Sequence, residues 1–119
     1  MEAVVGVIGI VVSTLGIAYS VATRGSCKVI IVNDCPWVVR IHAASGDDDC
    51  GTENVSPGNA FVFSFSPNIW GTTEFWSDVS SDGRRAHFTV YKGRDTGTFV
   101  FSVRNDGIYN NEHRVAKHQ

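Results

Sequence analysis

A chain of 119 residues, 43% of them apolar, has material for one core and therefore one domain. Ten Lys and Arg stand against twelve Asp and Glu, a formal charge of -2, and the longest basic run is the pair Arg84 and Arg85. That balance excludes binding driven by phosphate neutralisation, so nucleic acid is not an expected partner.

Residues 3–22 carry no charged side chain and are filled by Val, Ile, Leu, Ala, Gly, Ser, Thr and Tyr, a stretch about as long as a membrane-spanning helix. Read as a secretory signal, it places Ser20 and Ala22 at the small-residue positions of a signal-peptidase site and leaves Thr23 as the first mature residue. Met1 and Glu2 make an acidic start where such signals are usually basic, so a hydrophobic helical anchor stands as the second reading. In both readings residues 1–22 lie outside the fold, and residues 23–119 form the domain. Cys27, Cys35 and Cys50 are disulfide candidates, but an odd count permits at most one internal bridge.

Residues 28–33, KVIIVN, are short and β-branched, which favours a strand. After a turn at 33–36, residues 37–44 alternate, with Val39, Ile41 and Ala43 on one side and Val38, Arg40 and His42 on the other. Residues 45–54, SGDDDCGTEN, lack apolar periodicity and read as an exposed loop. Within them Asp47, Asp48, Asp49 and Glu53 could offer oxygens to a hard cation, but consecutive side chains of an extended loop diverge. A solvated acidic loop that contacts a partner is the expectation, and no metal is expected. Asn54 opens the chain's N-x-S/T sequon and is a glycosylation candidate if the chain enters the secretory pathway.

The most informative stretch is residues 61–76, FVFSFSPNIWGTTEFW. Phe61, Phe63 and Phe65 recur with period two, so three rings share one face of a strand and that face must be covered. A turn at 66–68 leads into a second extended segment, 71–76, and Trp70 beside Gly71 is placed in the loop between them as a partner anchor. Residues 77–83 are polar and loop-like. Residues 85–92 and 98–104 alternate again, residues 106–109 add a turn and a last short strand, and the end beyond Asn110 reads as frayed. The expected fold is all-β, a small antiparallel β-sandwich of six to eight short strands preceded by a hydrophobic helix or signal segment. No serine sits in a nucleophile elbow and no two histidines have helical metal spacing, so no catalytic residue and no cofactor are expected.

The order of several segments resembles the plant self-incompatibility S-protein family. They are 31–34, Ile41 with His42 before the loop holding Asp47, Asp48, Asp49 and Gly51, and Pro57 with Gly58. The strand at 63–65 follows, then 68–73, 88–91 and 106–109, so the resemblance covers nearly all of 28–109. It implies a small secreted, non-enzymatic β-sandwich acting as an extracellular ligand for a cell-surface protein receptor. Founding members of that family are stigma-secreted determinants recognised at the pollen surface. Members usually carry cysteines at positions that here are Ala43, Ser77 and roughly Phe99, so the family's disulfide framework is missing. The alternative is a membrane-attached sandwich that inserts residues 3–22, the one part of the chain suited to a membrane.

Overall fold

The computed structural model describes residues 4–13, 26–68 and 70–119, the first stretch as backbone only. Its regular elements are strands: β1 (Val4–Ser13), β2 (Cys27–Asn33), β3 (Val39–Ser45), β4 (Asp49–Val55), β5 (Ala60–Pro67), β6 (Thr73–Ser81), β7 (Arg84–Gly93), β8 (Gly97–Arg104), β9 (Gly107–Asn110) and β10 (His113–Ala116). They form two sheets, a six-stranded one in the order β1-β5-β2-β8-β9-β10 and a four-stranded one in the order β4-β3-β6-β7. Pairing is antiparallel except between β2 and β8, which run parallel over Cys27–Asn33.

The period-two reading of the phenylalanines holds. Phe61, Phe63 and Phe65 are fully buried on the inner face of the larger sheet, where Phe63 meets Phe75 and Phe65 meets both Phe75 and Tyr91 of the smaller one. Ring centroids lie 5.4 Å apart for Phe63 and Phe75, 4.2 Å for Phe65 and Phe75, and 5.0 Å for Phe65 and Tyr91. Such offset and edge-on contacts add to the area each ring buries. Val29, Ile31, Val39, Ile41, Val79 and Ile108 complete this core.

Three segments read as loop or frayed end are strands. β4 occupies most of 45–54: it is an edge strand in which Cys50 and Val55 alone are buried, so no apolar alternation marks it. β6 runs past Trp76 to Ser81 because the inward phase set by Phe75 continues through Ser77 and Val79. Ser77 is polar but fully buried, its hydroxyl donating to the His42 carbonyl at 2.8 Å. β10 lies in the polar end, held by backbone pairing to β9. A Cβ at Gly107 would collide with the Ala116 carbonyl, so this pairing requires glycine, whose φ of 152° is also one that L side chains rarely adopt.

The expected N-terminal helix is also corrected over Val4–Ser13, which pairs antiparallel with β5. Val and Ile are stiff at χ1 and suit extended backbone, and β5 offers a partner edge. The rest of the 1–22 segment, including the cleavage site expected at Ala22, lies outside the described residues. Among the described residues no helix is long and apolar enough to cross a membrane.

One end of the sandwich is tied by a buried asparagine. Asn33 Nδ2 donates to the carbonyls of Trp37 (2.8 Å) and Val55 (2.9 Å), and Oδ1 accepts from the Cys35 N–H at 2.8 Å. Its backbone N–H donates to Asn59 and its carbonyl accepts from Gly58. One side chain thus fastens the β2–β3 turn to the end of β4. Asn33→Ala leaves three backbone groups, two of them in buried bonds, without this partner and is expected to cost roughly 3 kcal/mol. Asn33→Asp keeps the acceptor but loses both donors, so equilibrium denaturation should show it nearly as unstable.

Candidate functional site

The registers place three loops at the opposite end. Ser45 pairs with Phe75 and Thr73 with Gly93, so the 46–48, 68–72 and 94–96 loops leave the smaller sheet together. A Cβ on Gly71 would lie 3.9 Å from the Arg94 side chain, which puts the second and third loops in contact range. Asp47, Asp48 and Trp70, separate in the sequence, therefore share one end of the molecule.

Each loop is set by local hydrogen bonding. Ser45 Oγ accepts from the N–H of Asp47 (3.3 Å) and Asp48 (3.0 Å), and the Ser45 N–H donates to the Asp48 carbonyl at 2.7 Å, closing a tight turn. In the second loop Asn68 is the organiser. Its Oδ1 accepts from the N–H groups of Trp70 (3.1 Å) and Thr72 (3.2 Å), its Nδ2 donates to Thr72 Oγ1 at 2.8 Å, and its own N–H donates to Thr73 Oγ1 at 2.8 Å. The turn presents Trp70 with 55% of its surface exposed. Large apolar groups held rigidly in water are the form that recognition anchors take.

The remaining sequence candidates fall elsewhere. Asp49 belongs to β4 and turns to His42, whose Nε2 lies 2.9 Å from Asp49 Oδ1. Glu53 pairs in register with Ile41 along the edge strand and is exposed, away from the 46–48 turn. Asn54 is exposed on β4 opposite Arg40 rather than in a loop. Cys27, Cys35 and Cys50 are buried free thiols. Cys27 Sγ approaches the Asp95 carbonyl at 3.2 Å and Cys35 Sγ the Val103 carbonyl at 3.6 Å.

A second polar constellation lies on the outer face of the smaller sheet. His42, Asp78 and His87 stand in one cross-strand row on β3, β6 and β7, with Arg40, Ser80 and Arg85 in the next. Asp78 Oδ1 is 2.6 Å from His87 Nδ1, and Asp78 Oδ2 is 3.4 Å from His42 Nδ1. These side chains line an open concavity of about 490 Å³. Sequence reading assigned His42 and His87 to polar strand faces, but treating 77–83 as a loop hid the outward phase of Asp78. Extending the alternation of Phe75, Ser77 and Val79 would have found it. Among the described residues no three His, Cys, Asp or Glu side chains converge as a metal site.

The electrostatics follow from these contacts. Burial pushes the Asp78 carboxyl up, but hydrogen bonds from His87 and His42 and their charges outweigh it and hold the group below its ordinary 3.8. The Gly51 N–H, then His42, lower Asp49 in the same way. Burial, reinforced by Asp48 and Asp49, pushes the Cys50 thiol up to about 12, and burial likewise raises Cys27 and Cys35.

A strand-built sandwich that sets its polar chemistry on end loops and on one outer sheet face defines the class of this molecule. The family model described as plant self-incompatibility protein S1 matches residues 28–119, and the chain belongs to that family. It is 32% identical to S-protein homolog 21 of Arabidopsis thaliana over 80 residues, 60% of each chain. It is 28% identical over 87 residues to S-protein homolog 6 of the same plant, covering 69% of this chain and 64% of that one. With self-incompatibility protein S1 of Papaver rhoeas it shares 28% identity over 87 residues, 65% of this chain and 62% of that one. The matched part thus spans about three fifths of these relatives. No solved structure gives a significant match.

Two outcomes are expected. A carboxyl with a lowered folded pKa adds stability above its unfolded value and loses it as pH falls through the folded value. The difference in denaturation midpoint between the parent and Asp78→Asn should therefore be present well above the unfolded carboxyl value of about 4 and shrink as pH falls through the lower folded value. At pH 8 a thiol raised to about 12 is ionised to only about one part in ten thousand. Alkylation of the native protein should be slow at all three cysteines, with three labels appearing on unfolding when read by mass.

Proposed function

We propose that this protein is secreted, loses residues 1–22, and acts without catalysis as a ligand whose end loops are read by a protein on a cell surface. Family membership supports a recognition role. The observation that carries the reading is the convergence of the 46–48 and 68–72 loops, with Asn68 holding Trp70 out in water. An exposed tryptophan at the same end as two loop carboxylates favours a partner with an apolar pocket and nearby cations. Asn54, exposed on β4 within its sequon, is proposed to carry a glycan, which would sit beside Arg40 and leave the loop end open.

Two measurements test this. Protein recovered from the medium of plant cells expressing the full chain should begin at Thr23 by mass; material that stays with the cells and keeps Met1 would refute secretion and processing. Fluorescently labelled protein should bind intact cells saturably. Trp70→Ala should weaken that binding by about tenfold or more with the folded state unaffected, while Asp47→Asn with Asp48→Asn should lower the association rate and its salt dependence.

A further inference from the structure

The sandwich has sheet edges of unequal chemistry. β10 is four residues long and carries His113 and Arg114; β4 carries Asp49 and Glu53 and is bent at Gly51, whose φ is 91°. β7 carries Arg84, Arg85, His87 and Lys92, and the backbone of Arg85 is bonded in both directions to Gln119. Shortness, charge and bulges are the devices that stop an edge from pairing with another chain. β5 has none of them. Its eight residues, AFVFSFSP, include no charge, and its one proline is the last residue.

The outer edge of β5 is taken by β1, and the fit is partial. Gly9–Ser13 pair regularly with residues 60–64, but the register shifts between Val4 and Val7 and again between Val7 and Gly9. The occupying sequence, VVGVIGIVVS, is apolar at both alternating phases. Both faces of β5 ask for that. Phe61, Phe63 and Phe65 point into the main core, whereas Ala60 and Val62 face the other way and form a second buried cluster with Ile30. The family match begins at residue 28, after β1.

We propose that the outer edge of β5 is a strand-accepting site, and that in the processed protein an extended partner segment, apolar on both faces, pairs with residues 60–66 in place of Val4–Ser13. Main-chain hydrogen bonds would supply the pairing and the two apolar clusters the selectivity. The proposal rests on the removal of residues 1–22 put forward above. A second copy offering its own β5 suits the site less well, because its outward phase ends in Ser64 and Ser66.

The test compares the full chain with a form beginning at Thr23, which keeps the described core residues from Cys27 to Ile108. The probe is a synthetic peptide of sequence VVGVIGIVVS with lysines added beyond both ends, and the control is the same peptide N-methylated at alternate residues. In the shorter form, edge-facing amides within 60–66 should exchange about tenfold faster or more than in the full chain. The peptide should restore their protection, the methylated control should not, and the full chain should bind neither. If the shorter form does not fold, the full chain with Ile10→Pro and Val11→Pro, adjacent residues whose N–H groups alternate so that one of the two faces β5, should show the same gain in exchange. Equal exchange in the two forms, or peptide binding indifferent to N-methylation, would overturn the site. A dimer of the shorter form with 60–66 protected would overturn the partner segment in favour of a second copy. Native protein retaining residues 1–22 would overturn the processing step, a result read from its mass and independent of the peptide arms.

Discussion

The fold depends on one aromatic seam. Phe61, Phe63 and Phe65 descend the inner face of β5, the last two against Phe75 and Tyr91 of the facing sheet, and the Phe88–Phe101 pair extends the ring contact between the layers. Burying three phenylalanines contributes roughly 5–9 kcal/mol, comparable with the net stability of a whole domain this small. The seam therefore decides that the sheets stack face to face, and the turns follow from where the strands must end.

Those ends are unlike each other. At one, Asn33 draws three chain segments together through buried hydrogen bonds, an arrangement that fixes backbone and displays little. At the other, the side chains of Asn68 and Ser45 bond within their own turns, which leave Trp70 and Asp47 facing water. The same chemistry, a short polar side chain capturing nearby amides, closes the molecule at one end and presents groups at the other. What separates the two is burial, set by the seam.

The seam was legible because period two with aromatic residues on one phase has no competing explanation. Edge strands were not. β4 and β10 touch the core with few side chains, so their existence rests on backbone pairing that composition does not report. β6 was cut short because Ser77 looks like a turn residue until its hydroxyl is seen to be satisfied by His42. Of the site, Asp47, Asp48 and Trp70 were found as loop residues, but their common end follows from strand register. The row of His42, Asp78 and His87 needed all three strand phases at once.

Ala43 and Ser77, two positions where the family resemblance leads one to expect cysteine, face each other across β3 and β6, both fully buried. The space is filled by a methyl and a hydroxymethyl group, and the chain's own thiols are free. No covalent cross-link is then needed to reach the native state. Refolding from denaturant therefore has no disulfide to form, and a reductant serves only to keep Cys27, Cys35 and Cys50 from pairing while the chain is unfolded.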